Sequence, residues 1–233
     1  WRPMTDDALS STMRDYLVNI YNLSDRNTDD HYVSTSELAD ALHVSAPAVN
    51  RMVTKLRDMN LLEHERYQGI YLTKGGELEA LKQLRRQRIA EAFLVNVMNF
   101  GWHEVHHEAE QMSSALSEMI LERMSNMAGN PTHSPHGAPI PAADGTYTPP
   151  ADTPLVEVEP ERDYSLSRVM TREPDRLEYL AALGLMPGET FTLLHRAPFN
   201  GPMQLHLARE YRIIGYNLAE VIRVKPAGAD KPE

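Results

Sequence analysis

Residues Ser34–Gly76 read STSELADALHVSAPAVNRMVTKLRDMNLLEHERYQGIYLTKGG, and this stretch decides the fold. Ser34 followed three residues later by Glu37 is a capping box, which predicts the start of a helix. His43 and Val44 make a turn. Ser45 then caps a second helix, with Pro47 in the first turn, where proline is tolerated. Val49, Met52, Val53 and Leu56 recur at core spacing along that helix, so Ser45, Ala46, Ala48, Asn50, Arg51 and Lys55 face outward. Small and hydrogen-bonding side chains at the front, then positive charge, suit a helix lying in a DNA major groove. From Leu61 to Thr73 the pattern alternates around Tyr67, Gln68 and Gly69, which predicts a two-stranded wing with Arg66 near its tip. Two packed helices alone occur in many helical cores; the added wing is what turns the reading towards nucleic acid.

The flanks complete a modular plan. Upstream, Met13, Tyr16, Leu17, Ile20 and Tyr21 mark an amphipathic helix from about Asp7 to Leu23, with Asp6 and Asp7 favourably placed at its positive end and Ser24–Asp30 as a loop. Downstream, helices are predicted at about Gly76–Asn99 and Glu104–Met127, broken at Phe100, Gly101 and Trp102. Their apolar faces exceed what one small domain needs, and a homodimer interface would bury the excess. Ala128–Pro160 is rich in Pro, Gly, Ala and Thr and reads as a linker. Tyr164–Val224 has short apolar runs punctuated by Gly and Pro, with one helix around Pro174–Leu183, and reads as a small β-barrel.

Composition sets limits. The chain has 233 residues, 42% of them hydrophobic, enough for two or three small domains with their own cores. It has no cysteine, which excludes disulfides, iron-sulfur clusters and thiolate zinc sites, so any metal must be held by His, carboxylate, amide or water. No window reaches the length of apolar sequence a membrane helix needs, and the N-terminus shows no basic-then-apolar signal pattern, so a soluble, cytoplasmic protein is expected. The net charge of -10 is unfavourable for binding DNA. Its distribution is not: Ser45–Arg88 carries nine Lys or Arg against five Asp or Glu, so this segment is +4 while the remainder sums to -14.

With these elements in order, the sequence resembles the DtxR/MntR family of iron- and manganese-dependent repressors over nearly its whole length. The resemblance rests on Asp15-Tyr16-Leu17 with Ile20-Tyr21, on the helix-turn-helix and wing ending in LTKGG, and on Gly184-Leu-Met-Pro-Gly188 followed by Gly201-Pro202 and IGYNLAEVIRV. It implies a winged helix-turn-helix domain over 1–75, a helical metal-binding and dimerisation domain over 76–140, a linker over 141–160, and an SH3-like FeoA domain over 161–228. It also implies a homodimer whose bound Mn(II) or Fe(II) governs binding to operator DNA, typically as a repressor of metal uptake genes. Base contacts would come from Ser45, Pro47, Asn50 and Arg51, with Thr35, Ser36, Lys55 and Arg66 nearer the phosphates.

The resemblance also supplies candidate ligands. The family's primary site combines a residue of the first helix with a Cys- or Glu-x-x-Glu-His motif, and the matching positions here are Asp15, Glu110, Ser113 and Ser114. Serines are poor ligands, so this set is weakened or rebuilt. The ancillary set maps onto Gln87, Glu91, His106 and Glu173, and the Pro-His-Gly segment of some manganese-dependent relatives maps onto Ser134-Pro135-His136-Gly137. His133 and His136 could replace the imidazole missing at Gln87. The run WHEVHHEAE is ligand-rich in its own right, with His103 and His107, and His106 and Glu110, at the i, i+4 spacing that lets two side chains share an ion. Carboxylate and imidazole donors without sulfur favour Mn(II) or Fe(II) among physiological ions.

Two other readings compete. Serines at the primary-site positions suit a metal-independent winged-helix regulator answering to a small organic ligand. An enzyme using the His-rich helix would need an open coordination position and a positioned base, and the sequence contains no nucleophile elbow or phosphate loop. The expectation is that the chain is not an enzyme.

Overall fold

The computed structural model describes residues 9–26 and 31–228. Asp6 and Asp7 lie outside the described residues. The chain forms two compact units, one of residues up to Arg86 with Pro141–Thr146, the other of Gln87–Ile140 with the residues from Tyr147 onward.

In the first unit, α1 (Ser11–Arg26), α2 (Thr35–Leu42) and α3 (Ala46–Asp58) precede a hairpin of β1 (Leu62–Glu65) and β2 (Gly69–Leu72). Met13, Leu17, Ile20, Leu38, Val49, Leu56, Leu62 and Ile70 share one core, so the spacing read from the sequence is the spacing that packs. α1 continues past Leu23 because Leu23 still packs on that core, which draws Ser24 and Asp25 into a last turn they would not favour alone. The capping box at α2 is complete: Glu37 N–H donates to Ser34 Oγ (3.1 Å), and Ser34 N–H donates to the Glu37 carboxylate (2.8 Å). Ser45 holds the N-cap position of α3, but its hydroxyl makes no capping bond.

The wing turn is Arg66, Tyr67 and Gln68, with Tyr67 in the left-handed region at φ 70°. Gly69 opens β2 rather than closing the turn. Val33 explains why: its N–H and C=O both bond Ile70 at 2.8 Å, and a Cβ on Gly69 would stand 2.8 Å from Val33 O.

A helix of 23 residues, α4 (Lys74–Asn96), follows the wing and ends where Asn99 turns left-handed and Phe100 N–H reaches back to Leu94 O at 3.1 Å. The expected single helix over Glu104–Met127 is two, α5 (Val105–Ser113) and α6 (Glu118–Met127). Serines break it. Ser113 and Ser114 hydroxyls bond the carbonyls of Glu110 (2.9 Å) and Gln111 (3.0 Å), and Ser117 caps α6.

The C-terminal segment is a six-stranded antiparallel sheet in the order β3-β8-β4-β5-β6-β7, with strands β3 (Thr153–Pro154), β4 (Arg162–Val169), β5 (Thr190–Arg196), β6 (Met203–Leu207), β7 (Glu210–Ile214) and β8 (Ile222–Pro226). Helices α7 (Pro174–Ala182) and α8 (Tyr216–Ala219) complete it. The expected barrel is not closed. β3 is two residues long and one of them is Pro154, which has no N–H to offer β7 at the far edge. Leu166, Leu177, Leu180, Phe191, Leu205 and Ile222 fill its core.

Candidate metal centre and nucleic-acid interface

α4 buries a polar stripe that includes Gln87, Arg88 and Glu91. Glu91 is 5% exposed, and a carboxylate so placed needs partners. It has two imidazoles. His106, in the first turn of α5, places Nδ1 at 2.9 Å from Oε1, and His136 places Nδ1 at 3.6 Å from Oε2. Burial alone would raise the Glu91 pKa; the hydrogen bonds and positive charge of His106 and His136 outweigh it and hold the carboxyl far below its usual range.

His136 is oriented from behind. Its Nε2–H donates to the Trp102 carbonyl at 2.8 Å, which turns Nδ1 towards Glu91. That is the arrangement in which metal-binding histidines are commonly held. The donor set, one carboxylate and two imidazoles, suits a divalent cation chemically. Among the described residues, no three His, Asp or Glu side chains are already spread around a point to hold an ion.

The other candidates fall elsewhere. His133 is exposed, with Nδ1 2.9 Å from Thr132 Oγ1. Glu173 is the exposed N-cap residue of α7, and its carboxylate pairs with Arg176 at 2.8 Å. Glu110 is half-buried on α5, and its backbone carbonyl accepts the Ser113 hydroxyl. Asp15, in the other unit, is half-buried on α1, and its backbone carbonyl accepts from Asn19 at 2.8 Å. Trp102 is the residue the sequence reading passed over. Its place four residues before His106 was visible, but its bond to His136 joins positions far apart in the chain.

The nucleic-acid candidates lie on α2, on α3 with its N-cap, and on the wing. Ser45, Pro47, Asn50, Arg51 and Lys55 are exposed on α3, opposite the buried Val49, Val53 and Leu56; Ala48, expected outward, is half-buried. Burial raises the Tyr16 phenol above its ordinary pKa, while the positive charge of Arg51 pulls it the other way. Ser36 is exposed beside Ser34 (3.1 Å between hydroxyls), Thr35 is half-buried, and Arg66 lies 5.0 Å from the centre of the exposed Tyr67 ring.

Three segments of the chain match known domain families. Residues 8–70 match the iron dependent repressor N-terminal DNA binding domain, residues 73–142 the iron dependent repressor metal binding and dimerisation domain, and residues 153–226 the FeoA domain. The iron-dependent repressor IdeR of Mycobacterium tuberculosis is 33% identical over 135 residues, 58% of this chain and 57% of that protein. The transcriptional regulator MntR of Listeria welshimeri is 30% identical over 116 residues, 50% of this chain and 79% of that protein. The chain thus spans little more than half the length of the mycobacterial relative. Among solved structures, a manganese-dependent transcriptional repressor in complex with manganese superposes with a TM-score of 0.85 at 30% identity, covering 92% of this chain and 99% of that one. With matched segments in the order of the folded segments and a likeness of that extent, the chain belongs to the DtxR/MntR family of iron- and manganese-dependent transcriptional repressors.

Proposed function

We propose that the chain is a cytoplasmic, homodimeric transcriptional regulator that binds operator DNA through α3 and the wing when Mn(II) or Fe(II) occupies a centre built on Glu91, His106 and His136. It is read as a repressor of metal uptake genes and not as an enzyme. The carrying observation is the buried Glu91 carboxylate faced by two imidazole nitrogens, one held in place by a backbone carbonyl. When bound, the ion supplies the positive charge that lets these donors share one point without protons. Glu91 ties α4 to α5 through His106, and to the Ser134–Gly137 turn through His136.

On the DNA side, Asn50 and Arg51 read base edges, Ser45 and Pro47 sit at the front of the helix against the groove, and Thr35, Ser36, Lys55 and Arg66 hold phosphates. Two such helices in a dimer read two half-sites only when about one DNA turn apart, so a centre that favours the competent arrangement shifts the population towards it. The open C-terminal sheet is read as the counterpart of the family's SH3-like module. His133 and Glu173 are reserve ligands that would have to leave Thr132 and Arg176 to take part.

Retention of a selected operator fragment, measured with chelator, Mn(II), Fe(II) and Zn(II) in parallel, tests the reading. Loss of binding in chelator and recovery with Mn(II) or Fe(II) supports it. Binding undiminished by chelator favours the metal-independent regulator, a reading that the fully paired Glu91 keeps alive.

A further inference from the structure

The Glu91 centre is tied to the C-terminal sheet although no ligand on the sheet faces it. Trp102 is 6% exposed and belongs to the core that Leu155, Leu166, Leu177 and Phe191 build beneath that sheet. Its ring stacks on His136, with centroids 5.3 Å apart and planes 29° from parallel, while its carbonyl accepts the His136 Nε2–H. On its other side the His136 turn is fastened to β4. Val169 N–H donates to His136 O at 2.9 Å, and the neighbouring Gly137 lies so close that a Cβ there would stand 2.1 Å from Ser167 O. The indole at position 102 carries a cost. Its Nε1–H is buried with no hydrogen-bond partner among the described residues, a cost that a phenylalanine in the same core would avoid.

We propose that Trp102 is the positioning residue of the metal centre, its carbonyl setting the His136 tautomer and its indole face fixing the ring plane, so that the C-terminal sheet governs metal affinity without supplying a ligand. This rests on the centre proposed above. The sheet holds Trp102, Trp102 holds His136, and His136 presents Nδ1 to the ion. Loosening the indole lets the ring turn and weakens the centre, and filling the centre changes the surroundings of the indole.

The test is a Zn(II) titration of the whole 233-residue chain, followed together by calorimetry and tryptophan emission, because Zn(II) does not quench by itself. The chain has 2 tryptophans, so Trp102→Phe isolates the signal of Trp1. The native chain should show an emission change with the same midpoint as the heat, absent in Trp102→Phe and in His136→Ala. Trp102→Phe, which keeps a flat ring, should bind Zn(II) within about threefold of native. Trp102→Leu should bind roughly 10- to 100-fold more weakly, the usual cost of losing an outer partner of a metal ligand. Binding heat that His106→Ala abolishes, with Trp102 emission unmoved and Trp102→Leu binding as native, overturns the positioning role and leaves the centre standing. Absence of saturable heat in the native chain overturns both. The emission measurement on the native chain decides the matter even if Trp102→Leu does not fold.

Discussion

His106 Nδ1 and Glu91 Oε1 lie 2.9 Å apart, joining the first turn of α5 to the buried polar stripe of α4. Mn(II) binding by calorimetry should therefore be lost or weakened at least tenfold in Glu91→Ala and His106→Ala, as for a site stripped of one of few protein ligands. Asp15→Ala, in the N-terminal unit, should keep the tight site. The reverse order would remove Glu91 from the centre.

On α3 the exposed Asn50 and Arg51 are expected to read bases. Asn50→Ala and Arg51→Ala should each cost about 1–3 kcal/mol in operator affinity and relax sequence preference. Lys55→Ala should weaken all DNA alike and lower the salt dependence by about one counterion. Mobility shifts across a salt series separate the two classes, and unchanged affinity in both α3 variants would show that another surface reads the operator.

Met119, Ile120 and Met127 are 71%, 50% and 64% exposed on α6, more apolar surface than a solitary helix leaves in water. Ile120→Glu should shift the sedimenting species from dimer towards monomer. Val44→Glu, at an exposed apolar position in the helix-turn-helix, should leave it a dimer. A dimer in both would place the interface elsewhere.

Asp152 and Arg168 form a bidentate pair with side chains 1% and 5% exposed, and Ser167 adds a third bond to the same carboxylate. Removing the carboxylate breaks a buried bidentate pair, so Asp152→Ala should lose about 3–5 kcal/mol in urea unfolding of the sheet. A change under about 1 kcal/mol would mean that water reaches Arg168 readily.

What was legible in the sequence was local. Ser34 and Glu37 are three residues apart, and both bonds they make follow from that spacing. The run of Val49, Val53 and Leu56 fixed the buried face of α3 for the same reason. What was missed depended on distant partners or on competition within a turn. A proline-rich stretch reads as linker, yet Ser134, His136 and Gly137 are buried because β4 lies against them. The serines that replace metal ligands also divide the second helix, since a hydroxyl near a free carbonyl offers the backbone another bond. Barrel closure turned on which residues stand at the two sheet edges, and periodicity does not say which strands those are.

Val33 and Ile70 exchange both backbone hydrogen bonds, so the entry to α2 and the far strand of the wing form one sheet edge. A wing attached only at its base could swing to suit an ill-shaped groove. On the proposed function, one sewn at two places would meet DNA like a stamp of fixed relief, and the yielding would have to be done by the duplex. Promoters should then be sorted by how cheaply their steps bend and twist as well as by the bases displayed, with preference reaching positions that no side chain touches.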